Sequence, residues 1–489
     1  MIVHDGLLVG ISKMSKKVKN VLIWLPLAPI HNWRGEGIAQ TLEHLLLETS
    51  NESLYYTILV NPKHYCEAVD IFRKKNNVKV IPLTLTWLFF RFFPQKKYKY
   101  VFDSKNQDFS HKIKVDFLDA ITTLLKKLKL RLKFDVISLL ISLFWYGFKL
   151  VIFTIFQRLG FLGKADIIWL PTPIINWSEY LKGKKIQSFW DSFVFEYSEF
   201  DDVSLYLFKK YMSLFRKVEY IITQSNNNKN YLVQVFGIPE DKIAVIYNGS
   251  PDYSKVLNDT NFDTKDKIFK IWEKRSIKAL SYTEFISRLH HEYINHSVIF
   301  RLMKRINSKT KIVLISTQYR IYKGFGALFK IIDKVIQIDP NVYFIFTSKI
   351  PRKIKEKYFH LHENIFEITR VSNKQHAMLY CLSDLVLHPS YTEGGLGSYP
   401  QFEAASLNRP CLVNRGPHTD ELCSVFGKKM EKVVCDFTNI EYTVSKIIDI
   451  LSNPSAREEN IQINSSAYID WKDVAKKYEN LFLKLIEHD

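Results

Sequence analysis

The chain has 489 residues, 47% of them hydrophobic and 24% charged, a globular balance that is too long for one compact domain and suits two or three. Its 69 Lys and Arg against 50 Asp and Glu leave a formal charge of +19, which favours polyanionic partners such as anionic lipid headgroups or nucleotide diphosphates. There is no zinc-finger spacing and no RNP-type motif, so nucleic acid is not an expected partner. Five scattered cysteines without a C-x-x-C pair argue against a disulfide framework or a structural zinc site and imply mostly buried thiols.

The first twenty residues are basic but lack an apolar run before a cleavage site, so no secretory signal is expected and the cytoplasm is the expected compartment. Apolar runs then alternate with helical segments, the pattern of parallel sheets with crossover helices. Strands are expected over residues 21–27, 55–60, 78–83, 165–170, 185–189, 220–223 and 243–247. A second set follows over 311–316, 342–347, 365–368, 385–388, 410–414 and 432–435. The fold class is therefore α/β, with two Rossmann-like, doubly wound domains. The first is expected over 1–250 and the second over 251–470. Between them Tyr247-Asn248-Gly249-Ser250-Pro251 has the punctuation of a linker.

Two stretches fit neither sheet. Residues 90–162 contain a Lys/Leu-alternating run and then an apolar run over 136–156 that is long enough to span a bilayer. A single crossing would separate strands of one sheet, so an interfacial or re-entrant helix pair at a membrane surface is expected, with an ordinary buried hairpin as the alternative. Residues 255–308 are polar, charged and helical in pattern, and read as a second insertion.

The stretch richest in chemistry is 383–421, SDLVLHPSYTEGGLGSYPQFEAASLNRPCLVNRGPHTDE. It reads as a strand, a glycine-rich loop, and a helix opening near Pro400. Glycines let the loop backbone approach a ligand, and the helix N-terminus offers free N–H groups to an anion. Glu393 in the loop and Glu403 in the helix are costly beside an anion unless they bind hydroxyls, as ribose and hexose offer. Upstream, KIVLISTQYRIYKG over 311–324 is a strand followed by Arg320 and Lys323. Asn32-Trp33-Arg34-Gly35-Glu36-Gly37 follows the first strand, and Ser188-Phe189-Trp190-Asp191 closes another.

These residues resemble the retaining GT-B glycosyltransferases with the E-x7-E signature. Pro389-Ser390, Glu393-Gly394 and Pro400-Gln401-Phe402-Glu403-Ala404 match the family's P-S-x-x-E-G…P-x-x-E-A. The two glutamates stand ten positions apart rather than eight, with Gln401 at the standard spacing. Lys323-Gly324 matches the family's R-x-x-x-x-K-G, but Gln318 occupies the arginine position and Arg320 is its substitute. Trp190 stands where the family often has histidine.

The resemblance implies two domains facing a cleft and a nucleotide-diphosphate sugar as donor. Lys323, Arg320 and the N–H groups of Gly394, Gly395, Leu396, Gly397 and Ser398 would hold the diphosphate. Glu393 would meet the sugar and Glu403 the ribose, and Val371 and Ser372 would border the base. Gly35 and Gly37 would approach the donor phosphate, and Asp191 the acceptor. It also implies a terminal helix, over 471–489, crossing back to the first domain. Transfer with retention of configuration follows, with no cofactor. No paired acidic motif for a metal stands out, so metal independence is expected. The basic charge and the 90–162 segment point to a glycan or lipid-linked acceptor, as in surface polysaccharide assembly, with the protein peripheral on the inner membrane face. The alternative is a non-catalytic scaffold of the same fold.

Overall fold

The computed structural model describes residues 18–25, 37–60, 62–82, 165–172, 183–196, 208–209, 211–257, 295, 297–369 and 371–487. The expected insertion over 90–162 lies outside these residues, as does most of the one over 255–308.

Among the described residues thirteen strands form two wholly parallel sheets. The first sheet holds β1 (Lys19–Leu25), β2 (Leu54–Val60), β3 (Val78–Pro82), β4 (Ile167–Leu170), β5 (Lys184–Phe189), β6 (Tyr220–Thr223) and β7 (Ile243–Val245), in the order β3-β2-β1-β4-β5-β6-β7. The second holds β8 (Lys311–Ile315), β9 (Val342–Phe346), β10 (Ile365–Glu367), β11 (Leu385–His388), β12 (Cys411–Asn414) and β13 (Val434–Cys435), in the order β10-β9-β8-β11-β12-β13. Helices cover both faces of such sheets, so the strands read as continuous apolar runs such as VLIWL in β1 and KIVLI in β8 rather than as alternating ones. The expected strands are present with ends shifted by one or two residues. In the last, a 3₁₀ turn over Lys428–Lys432 takes the first expected residue and two paired residues remain.

Among the described residues, ten helices of eight residues or more with both ends defined frame the sheets. They are α1 (Gly37–Glu48), α2 (Pro62–Phe72), α3 (Asn226–Phe236), α4 (Phe325–Ile338), α5 (Asn373–Leu382), α6 (Tyr399–Ser406), α7 (Pro417–Phe426), α8 (Ile440–Ser452), α9 (Pro454–Ser465) and α10 (Trp471–Glu487). Local chemistry fixes their ends. Ser225 caps α3 by accepting from the Asn228 N–H, and Gly237 closes it at φ 65°. Ser372 and Gln375 form a capping box on α5. In α4, Phe325, Leu328, Phe329, Ile332 and Val335 recur at helical spacing and bury against β8 and β9.

α10 packs on the first sheet although it follows the second in sequence. Trp471, Val474, Ala475, Tyr478, Phe482 and Ile486 join the core built on β1, β2 and α1. Tyr478 meets Trp169 with ring centroids 5.1 Å apart, and the Glu479 carboxylate accepts from the Ser50 and Asn51 N–H groups at 3.0 and 2.9 Å. Each buried aromatic of this set contributes on the order of 1.5–3 kcal/mol. The linker passes under α10, where Gly249 lies against the Trp471 indole so closely that any Cβ would overlap the ring. Three of the five cysteines are buried, and Cys66 is exposed rather than buried. Among the described residues no helix is long and apolar enough to cross a membrane.

In both sheets the strand order reverses next to the first-formed strand, between β1 and β4 and between β8 and β11. In open parallel sheets the crevice outside the carboxyl ends at such a point is where ligands bind. The carboxyl ends of the two sheets lead into the loops that meet between the lobes.

Candidate functional site

The first group of polar residues gathers on Glu393. Its Oε1 is ion-paired with Lys323 and accepts from His388 Nε2 at 2.7 Å. His388 is the last residue of β11, and Lys323 ends the 3₁₀ turn that follows β8, so two carboxyl ends converge on one carboxylate. Gly324, next to Lys323, adopts φ 63° and lies against the Pro389 carbonyl, where a Cβ has no room. Burial alone would raise the Glu393 carboxyl, but the Lys323 ammonium and the hydrogen bond from His388 hold it well below the usual carboxylate range. The same burial lowers His388 and takes His418 down to about 3, so both rings are neutral at physiological pH. His418 is fully buried, its ring stands 6.5 Å from that of His388, and neither of its nitrogens has a hydrogen-bond partner.

Asp191 faces this group from the other lobe. It follows β5 and accepts from the Phe193 N–H. Burial, with Glu393 and Glu196 nearby, pushes its carboxyl up to about 6 against the pull of that hydrogen bond and of Lys323. The glycine loop makes the approach possible. A Cβ on Gly394 would overlap the Trp190 carbonyl oxygen and come within 2.9 Å of Asp191 Cβ.

The second group surrounds Glu403, which is 9% exposed on the first turns of α6. Tyr380 donates its hydroxyl to Glu403 Oε2. The Tyr253 hydroxyl meets His376 Nδ1 at 2.8 Å. His376 Nε2 lies 2.7 Å from Ser316 Oγ. Both phenols are pushed well above their ordinary value by burial and by the carboxylate beside them, so they stay protonated as donors.

Residues 300–466 match the family model described as Glycosyl transferases group 1. No curated protein matches the chain by sequence. Among solved structures, a mutant of S. aureus TarM, in complex with fondaparinux, alpha-GlcNAc-glycerol and UDP, is 12% identical. That match covers 95% of this chain and 100% of that one, at a TM-score of 0.56. A glycosyltransferase of Rickettsia africae is 15% identical over 96% of this chain and all of its own, at a TM-score of 0.55. HepE of Anabaena, in complex with UDP-glucose, is 12% identical over 95% and 99%, at a TM-score of 0.51. The fold is GT-B. Within it, the second lobe carries the group 1 glycosyltransferase match.

In this GT-B chain the lobes are in direct contact. Asn226 and Asn227, at the N-terminus of α3, donate their N–H groups to the Glu421 carboxylate of α7 at 2.6 and 3.2 Å, and the Tyr247 hydroxyl adds a third donor at 3.0 Å. Asn228 Nδ2 donates to the carbonyls of Trp190 and Gly394, at 2.9 and 2.8 Å, and so ties the glycine loop to the first lobe. Gln224 Nε2 donates to the Trp190 carbonyl at 2.7 Å, and the Tyr399 hydroxyl meets Thr41 and Asn248 at 3.1 and 3.2 Å.

The structure brings together Glu393, Lys323, Asp191 and Gly394. Arg320 is exposed on the turn before Lys323. Gly395 lies beside Gln224, whereas the Leu396 side chain is buried with Phe402 and Leu422. Two loop N–H groups expected at the diphosphate are redirected or adjoin a cap. The Gly397 N–H donates to the His418 carbonyl at 3.2 Å, and Ser398 caps α6. Val371 packs partly into the second core and the Ser372 hydroxyl is used by the α5 cap, which leaves backbone for a base to lie against. Gly37 opens α1 with nothing near it, and Gly35 lies outside the described residues.

Sequence reading found no site role for His388, His418, His376, Tyr253, Tyr380, Gln224, Asn228 and Glu421. One signal was readable: His388 and Glu393 flank a tight loop leaving a strand, five positions apart.

Proposed function

We propose that the chain is a retaining glycosyltransferase that moves a hexose from a nucleotide-diphosphate sugar, UDP- or GDP-linked, to a glycan or lipid-linked acceptor. The observation that carries this reading is the Glu393 group. A carboxylate held ionised by Lys323 and by the hydrogen bond from His388 sits at the carboxyl ends of the donor-type sheet, with Asp191 opposite it across the cleft. Lys323 would neutralise charge that develops on the departing diphosphate, a role worth about 10²–10³ in rate for one well-placed donor. Glu393 would hold sugar hydroxyls near the anomeric carbon. The acceptor oxygen would attack from the face the phosphate leaves, its proton passing to that phosphate or to Asp191. The nucleotide complexes of HepE and TarM support a nucleotide-sugar donor. Metal independence belongs to the same proposal, because Lys323 supplies the charge a metal otherwise would. A peripheral place on the cytoplasmic face of a membrane, in surface polysaccharide assembly, rests on the net charge of +19.

The test is donor hydrolysis and binding against UDP-, GDP-, ADP- and CMP-sugars with EDTA present, for wild type, Glu393→Ala and Glu403→Ala. Turnover of one donor, lost in both variants, supports transfer and names the nucleotide. Binding to none, with the variants indistinguishable from wild type, supports the non-catalytic scaffold, a reading favoured by Gln318 at the arginine position and by the longer glutamate spacing.

A further inference from the structure

The first lobe holds a cavity of about 340 Å³, which opens where the helical turn over 211–215, the amino end of β6 and the carboxyl end of α3 come together. The strands of the parallel sheet run from this edge toward the cleft, so the cavity lies on the edge facing away from Glu393. Its floor is the apolar core of the lobe. Phe215, Val218, Ile221 and Phe236 line it, all buried, and the Phe215 and Phe236 rings meet edge-on at 5.2 Å. Met212, half-buried, forms a wall. Protein cores leave few voids larger than a water molecule, and an apolar cavity of about 150 Å³ already takes up benzene. This one is more than twice that size and reaches the range of sites that hold small molecules, about 300–1,000 Å³.

The mouth of the cavity is cationic. Arg216 and Lys242 line it and are exposed, and no carboxylate among the described residues pairs with either. Of the acidic residues beside them, Glu219 accepts from the Lys185 N–H and Glu240 is paired with Lys229 at 2.8 Å, while Asp241 is exposed on the turn that carries Lys242. An apolar floor beneath two cations fits a ligand with an apolar tail and an anionic head. A neutral hydrophobe leaves the cations unused, and a plain anion leaves the floor unfilled. The chain's charge of +19 draws it to surfaces that carry such heads, those of anionic membranes.

We propose that this cavity takes one acyl chain of an anionic lipid, with the lipid phosphate between Arg216 and Lys242, and so anchors the first lobe to a membrane surface. One chain alone gives only marginal, reversible membrane binding, and the two cations supply the second attraction that a lasting anchor needs. The proposal rests on the peripheral placement given above and names the residues that bring it about; it does not depend on the donor chemistry. A molecule held by this edge turns its cleft away from the bilayer, which suits transfer to the far end of a glycan.

The experiment is calorimetric titration of the full chain with decyl phosphate below its micellar concentration, with 1-decanol and inorganic phosphate as tail-only and head-only probes. Sedimentation with phosphatidylglycerol and phosphatidylcholine vesicles follows. The variants are Met212→Trp, which fills the cavity, and Arg216→Gln with Lys242→Gln, which strips its mouth; an unchanged denaturation midpoint shows that each is folded. Wild type is expected to bind decyl phosphate at least ~10-fold tighter than either partial probe, and both variants to lose at least ~10-fold, as removal of a buried apolar tail or of a charge-assisted contact allows. Wild type is expected to sediment with phosphatidylglycerol vesicles and not with phosphatidylcholine, and Met212→Trp to stay in solution. Equal binding of decyl phosphate by wild type and variants, or binding of a partial probe as tight as that of decyl phosphate, overturns the inference. So does Met212→Trp held on anionic vesicles as firmly as wild type, an outcome that leaves the peripheral placement standing on charge alone. A wild type that ignores anionic vesicles overturns both, whatever it does with decyl phosphate.

Discussion

Glu393 and Glu403 are ten residues apart on one loop and helix, yet their surroundings are opposites. Glu393 is met by charge or potential charge: an ammonium, two imidazoles and a carboxyl from the other lobe. Glu403 is met by neutral hydroxyls drawn from its own lobe and the linker. The difference separates two tasks that one residue type can perform. A carboxylate among charges stabilises a reaction in which charge moves, whereas one among hydroxyls recognises a molecule that carries hydroxyls.

The largest effect should come from Lys323→Met. It leaves Glu393 buried without its cation, and transfer is expected to fall about 10²–10³-fold with nucleotide binding weakened far less; a loss confined to binding would erase the distinction between the two glutamates. Gly394→Val comes next, because its side chain must displace the Trp190 carbonyl and Asp191. The lobes should part, visible as a larger radius of gyration in solution scattering, with turnover down about 100-fold and each lobe still folded.

On the Glu403 side, Tyr380→Phe removes one donor from a buried carboxylate. It is expected to lower stability by about 1–3 kcal/mol in a denaturant titration and to weaken nucleotide binding, leaving the turnover of bound donor intact. Asp191→Asn sharpens the other side. Because the folded carboxyl sits near 6, above its ordinary value of 3.8, ionising it costs stability that is lost as pH rises from about 4 to 6. Asparagine removes that cost, so the variant should be more stable than wild type at pH 7 by about 3 kcal/mol, and equally stable at pH 3. Its turnover should fall, and any rise of wild-type turnover through pH 6 should disappear with it. The smallest effect is expected for Glu421→Gln, which weakens the cap on α3 across the lobe contact: about 1 kcal/mol, read as a few-fold rise in KM.

Much of the fold was legible because buried parallel strands are continuous apolar runs bounded by turns, and β6 and β11 emerge with the residues expected of them. Half of the site was legible for another reason. A glycine loop followed by a proline-opened helix is a local device, so Glu393, Gly394 and Glu403 could be found in one string of residues. The group around Glu403 could not be, since Tyr253, Ser316, His376 and Tyr380 are drawn from the linker, the end of β8 and α5, and only the packing of three elements makes them neighbours. Asp191 was found without its environment. Nothing adjacent to it in sequence announces that Glu393 lies opposite and raises it. A lone histidine such as His418 is usually a core residue, and buried it is; its charge environment comes from Glu393, more than twenty positions earlier in the chain.

Helix α10 completes the first lobe with residues made long after it. Trp471 covers Gly249, and Tyr478 and Phe482 fill the core beneath β1 and β4. At ordinary rates of synthesis the ribosome needs about 10–50 s to add the roughly 220 residues that separate the linker from this helix. Through that interval the first lobe waits with an open apolar face, while the second lobe holds all six of its strands before α10 emerges. The half of the molecule written first is thus the half finished last, and a nascent-chain chaperone has its longest opportunity there.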